Sequence, residues 1–235
     1  MTSDFPVVFA LYPDVTQLDF TGPLEVLSRL PQARIVLAST HGGELAAGGL
    51  TLAGIHPLAQ VNECALLCVP GGFGCAAAME DSAYLAELRR LAGQARYISS
   101  VCTGSLLLGA AGLLRGKHAA CHWAYRELLG LFGAIPDAAR VVRDGNLFSG
   151  GGVTAGIDMA LAITAEIAGE HHARAVQLAI EYAPEPPFAG RPETALPETV
   201  EDVRSRIARV WPERLATAQR AARALSGDFA HAGRV

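Results

Sequence analysis

Most of this 235-residue chain carries no obvious chemistry, but a few short segments do. The sharpest is Ser100-Val101-Cys102-Thr103-Gly104. It follows the strand-like run 97–101 and opens an Ala/Leu/Gly-rich helical stretch at 103–114. A tight strand-to-helix turn with small neighbours lifts one side chain above a sheet. The helix start adds backbone N–H groups and a partial positive charge, which favour a thiolate. Cys102 is therefore expected to be a nucleophile with a lowered pKa. A free cysteine is more often a small buried apolar group. That reading is kept for Cys64, Cys68, Cys75 and Cys121, which lack the turn.

Two glycine turns and one acid should converge on Cys102. Pro70-Gly71-Gly72 ends an apolar run at 65–69, and ligands of doubly wound sheets bind at the carboxyl ends of strands. The N–H groups of Gly72 and Thr103 are candidate anion-stabilising donors, although a Gly-Gly pair can equally be a plain turn. Gly150-Gly151-Gly152-Val153 is a second strand-to-helix turn that could bring the Val153 N–H towards the sulfur. Asp19 follows the first strand-like run. Beside a thiol it could move a proton, or it could merely cap a helix. Glu25 lies further along and reads as solvent-facing. His122 stands near the segment, but a structural role suits it better; His171 and His172 read as exposed at a helix end. No histidine or cysteine spacing reads as a metal site, and no P-loop or dinucleotide fingerprint is present.

These residues need a scaffold that brings separate loops to one edge. Short continuous apolar runs at 6–11, 33–39, 65–69 and 97–101 alternate with helical stretches at 17–27, 82–93, 103–114, 122–131 and 157–168. A hairpin is expected around Asp144-Gly145-Asn146, an irregular Pro-rich stretch at 182–192, and further helix at 198–225. Buried runs alternating with helices predict an α/β sandwich, a parallel sheet covered on both faces. The expected organisation is one domain over 1–192 and a helical extension over 193–235, packed on the domain or on a partner.

Composition narrows the function classes. Hydrophobic residues make up 51% and charged residues 18%, and 19 basic against 23 acidic side chains give a net charge of −4. Such a chain has no basic stripe for nucleic acid or anionic membranes. No apolar run reaches the ~18–20 residues of a membrane span, and the start lacks a signal-peptide pattern. A cytoplasmic protein without disulfides is expected.

Together, Pro70-Gly71-Gly72, Val101-Cys102-Thr103-Gly104 and His122-Trp123 resemble the ThiJ/PfpI superfamily. The stretches 17–23, 97–116, 134–136, 141–146, 150–158 and 181–184 resemble its isocyanide hydratase branch more narrowly. The resemblance covers most of residues 7–190. It implies a flavodoxin-like fold, a homodimer and a cofactor-free lyase that adds water to an isocyanide, giving a formamide. The nucleophile then matches Cys102, the essential acid Asp19, the residue after the cysteine Thr103, and a sulfur-contacting amide Val153. Protease, chaperone and deglycase members generally carry Glu where Asp19 stands, and many have His after the cysteine; this chain has neither. Regulators of the superfamily carry a helix-turn-helix module, for which the stretch after Pro192 is too short. A non-catalytic ligand or oxidation sensor, or a glyoxalase or deglycase, are the competing readings. The low charge suits a small, neutral, hydrophobic isocyanide.

Overall fold

The computed structural model describes residues 4–232, with side chains to residue 226. In chain order its elements are β1 (Phe5–Ala10), α1 (Gln17–Leu27), β2 (Ala33–Ser39), β3 (Gly43–Ala47), β4 (Leu50–Pro57), β5 (Leu66–Val69), α2 (Cys75–Glu80), α3 (Ser82–Ala92), β6 (Tyr97–Val101), α4 (Gly104–Ala110), β7 (His118–Ala120), β8 (Ile135–Asp137), β9 (Val141–Asp144), β10 (Leu147–Gly150), α5 (Ala155–Ala168), α6 (Glu170–Ala179), α7 (Pro197–Ala208) and α8 (Trp211–Ala232). Eight strands form one sheet in the order β3-β4-β2-β1-β5-β6-β10-β9. The six inner strands run parallel, and the edge strands β3 and β9 are antiparallel to their neighbours. β7 and β8 make a separate parallel pair.

The central strands are apolar because both faces of the sheet are covered. Val7, Val8, Phe9, Leu66 and Leu67 are at most 1% exposed, and burying each such side chain is worth about 1.5–3 kcal/mol. Helices α1, α5 and α6 pack together in one layer; α2, α3, α4 and α8 make the other. The chain leaves β1 towards β2 and later returns to β5 on β1's other side. A crevice opens at the carboxyl ends where the winding reverses.

Three expected helices differ. The stretch 103–114 is helical only to Ala110, because Gly112 and Gly116 adopt left-handed backbone. The stretch 122–131 is a turn followed by a tight 3-10 segment, Arg126–Phe132. It must return the chain from β7 to pair Ile135 with His118, and compact i→i+3 turns achieve that in few residues. His171 and His172 lie at a helix end as expected, in the first turn of a separate helix, α6. The C-terminal stretch divides into α7 and α8 just before Trp211-Pro212, where proline disfavours helical backbone before it and suits a first turn. α8 packs against α2, α4 and the 3-10 segment of its own chain. Among the described residues no helix is long and apolar enough to cross a membrane.

Candidate active site

Cys102 sits between β6 and α4 with φ at 58°. That left-handed conformation costs a non-glycine residue about 1–3 kcal/mol, so the surroundings must impose it. The Cys102 N–H donates to the Gly150 carbonyl at 2.9 Å, extending the β6–β10 ladder into the turn. Beneath, Ser100 and Ser105 share a hydrogen bond of 2.8 Å, Ser105 donates to the Ala120 carbonyl at 2.5 Å, and the Ala120 N–H donates to Ser149 at 2.8 Å. All three serines are buried. The Cys75 thiol donates to the Thr103 carbonyl at 3.4 Å and holds the far side of the elbow. A Cβ at Gly104 would overlap the Val69 carbonyl, so the elbow can lie this close to β5 only with glycine there.

The β5 turn supplies the second component. The Gly71 N–H donates to Asp19 Oδ2 at 3.0 Å, and the Gly72 N–H donates to Thr103 Oγ1 at 3.1 Å. A side chain at Gly71 is excluded: its Cβ would stand 2.6 Å from the Thr103 nitrogen and 2.8 Å from Asp19 Oδ2. One tight turn therefore ties the acid to the elbow. Gly72 does line the site. Its N–H, however, is engaged by Thr103 rather than free for an anion, which corrects the expectation of a Gly72–Thr103 donor pair.

Asp19, in the first turn of α1, is 1% exposed. Its Oδ1 is buried with no formed hydrogen bond, although the Cys102 thiol faces the carboxyl closely enough to favour its charged form. Desolvation dominates and pushes the carboxyl up to about 7, against the bonds to Gly71 and Cys102. The thiol moves the same way. Burial, then the Asp19 charge, push Cys102 well above the usual thiol range, with the Thr103 N–H pulling back. This reverses the expected lowering. α4 is only seven residues long, and its terminus cannot offset full desolvation beside a carboxylate. The other four cysteines are buried and free. Burial raises Cys64 and Cys68 to about 12 and Cys75 to about 11, which suits core thiols.

Cys102 and Thr103 open onto a cavity of about 260 Å³, at the small end for ligand sites. Val153 lies on its wall, as do Phe73, His122 and Tyr125. His122 was given a structural role from sequence, and its Nδ1 does accept the Ala124 N–H at 3.3 Å. It nevertheless faces the cavity, and burial lowers its pKa, keeping the ring neutral. The remaining wall comes from the C-terminal helices: Val203 and Ile207 on α7 and Arg214 on α8. No sequence signal singled these out. Among the described residues no cluster could hold a metal ion.

The DJ-1/PfpI family model matches residues 6–166. The chain belongs to the DJ-1/PfpI family. An isonitrile hydratase of Pseudomonas putida is 49% identical over 223 residues, covering 93% of this chain and 96% of that protein. A ThiJ/PfpI family protein from Pseudomonas syringae superposes with a TM-score of 0.88 at 37% identity, covering 94% of this chain and 91% of that one. Drosophila melanogaster DJ-1beta superposes with a TM-score of 0.69 at 24% identity, over 77% of this chain and the whole of that one, a likeness of fold alone. These DJ-1/PfpI structures fit the mostly parallel, flavodoxin-like sheet described above.

Proposed function

We propose that this DJ-1/PfpI protein is an isocyanide hydratase, converting R–N≡C and water into the formamide R–NH–CHO. The observation that carries the reading is the buried Asp19 carboxyl beside Cys102, which opens onto a small cavity, in a chain 49% identical to an isonitrile hydratase. The thiol proton, routed through Asp19, goes to the isocyanide carbon as sulfur forms its bond to that carbon. The product is a covalent thioimidate, Cys102–S–CH=N–R. Asp19, reprotonated by the thiol, relays a proton from water to nitrogen as the water oxygen attacks the same carbon. The carbon–sulfur bond breaks, the hydroxyl proton passes to sulfur, and the thiol is restored.

The neighbours have supporting roles. Thr103 Oγ1, fixed by the Gly72 N–H, and Asp19 Oδ2 both border Gly71; Thr103 orients the carboxyl or holds the attacking water. The Val153 backbone N–H at the α5 start supports the sulfur. Because the isocyanide carbon joins sulfur without an oxyanion, the first step needs a proton donor more than an oxyanion hole. A carboxyl raised to about 7 suits that donor.

Incubation of the purified protein with an aryl isocyanide, followed by chromatography for the formamide, tests the reading. Stoichiometric formamide formation is expected. Its absence, with methylglyoxal consumed instead, would favour a glyoxalase and overturn the proposal.

A further inference from the structure

Arg214 presents a buried charge that no carboxylate among the described residues answers. Its side chain is buried, with the residue 8% exposed, and Nη1 is fully enclosed without a hydrogen-bond partner. Nη2 donates to the Phe73 carbonyl at 3.4 Å, the guanidinium is near enough to the Cys75 thiol to favour its charged form, and it lies 5.2 Å from the centre of the Tyr125 ring. Among the described residues it makes no ion pair. Another arginine of α8, Arg220, lies at the surface and pairs with Glu80 at 2.6 Å. An enclosed cation without a counter-ion is costly unless an anion answers it.

The location says which anion. Arg214 lines the same cavity as Cys102 and Thr103, and Tyr125 feels both the Arg214 charge and the Cys102 sulfur. Most of the rest of that wall is apolar, with Phe73, Val153, Val203 and Ile207, and the His122 ring beside them has its pKa lowered by burial, so the guanidinium is its fixed positive charge. We propose that Arg214 is a specificity-determining residue that binds the carboxylate of the substrate, which is an isocyano carboxylate rather than a neutral isocyanide. The guanidinium donates charge-assisted hydrogen bonds to a carboxylate. It holds one end of the molecule while the isocyanide carbon meets Cys102. The balance is ⁻O2C–R–N≡C + H2O → ⁻O2C–R–NH–CHO, so the product is an N-formyl amino acid. This assignment rests on the hydratase reading and names the substrate class of that same site.

The test compares kcat/KM for short isocyano carboxylates, with one to three methylenes between the groups, against their methyl esters. Wild-type protein is expected to prefer at least one carboxylate by about 10- to 100-fold, the worth of a charge-assisted hydrogen-bonded contact. In Arg214→Gln that ratio is expected to collapse towards one; in Arg214→Lys, which keeps the charge without the fork, it should fall in between. A readout on the unaltered protein guards against misfolded variants: N-formylglycine should inhibit competitively, and its methyl ester far less. Esters hydrated as well as every carboxylate would overturn the assignment and leave the hydratase standing. So would a carboxylate preference undiminished in a folded Arg214→Gln. Hydration of none of these compounds would overturn the assignment, and an aryl isocyanide left unchanged as well would overturn the hydratase reading too.

Discussion

The catalytic cavity has two walls built in different ways. On the sheet side, Cys102 and Thr103 stand on the turn after β6 and Asp19 behind them in the first turn of α1, tied together by the N–H groups of the Gly71-Gly72 turn after β5. On the helical side, Val203, Ile207 and Arg214 come from α7 and α8. None of the residues of α7 is buried, so that helix is held over the site with little packing of its own. The first wall is rigid because every turn is enforced by strands on either side. The second is a surface laid across it. Under the proposed hydratase reading, such a division would assign bond making to the sheet edge and substrate choice to the appended helices.

Removing the nucleophile should have the largest effect. Cys102→Ala is expected to lose at least about 10⁴-fold in kcat, read as formamide release; an active variant would end the covalent mechanism. Asp19→Asn comes next, with a loss of about 10²- to 10⁴-fold for an absent proton carrier. Wild-type kcat/KM should fall as pH rises through about 7, because the protonated carboxyl is the donor and burial holds its proton up to there. The residual Asn activity should lack that inflection. Gly71→Ala forces the Thr103–Asp19 junction apart and should cost about 100-fold in kcat, with KM changed less. Ile207→Ala is the mildest: removing part of the apolar wall should raise KM about tenfold and affect kcat less. A kcat loss at Ile207 matching that at Gly71 would break the division between the walls.

Legibility in the sequence follows the same division. The elbow could be read because strand, small residue, cysteine and glycine are contiguous, and the Asp19 and Gly71-Gly72 segments could be placed because sheet topology brings strand ends together. The direction of the Cys102 shift could not be read locally. A helix start is visible in the sequence, whereas desolvation and an acid 83 positions away are products of the fold. Arg214 was equally hidden. It is one of several arginines on a charged amphipathic helix, and only the packing of α8 against α2 and the 3-10 segment turns it inward while Arg220 stays outside. His122 drew notice from sequence, but the tight backbone that aims it at the cavity replaced the expected helix.

The buried carboxyl of Asp19 has a consequence for folding as well as for reactivity. Its pKa rises from 3.8 to about 7 in the folded state, so the native protein binds a proton there that the unfolded chain has released. Stability from this group is complete below pH about 4 and declines as pH rises through 7. It then levels off, roughly 4 kcal/mol lower by linkage. Asp19→Asn, which has no proton to lose, should melt at a pH-independent temperature across that window as far as this site decides it. Above pH 7 it should outlast the wild type in a thermal melt. The acid that makes the site reactive is a standing thermodynamic loss, and a search for heat-resistant variants in mild alkali would select its removal first.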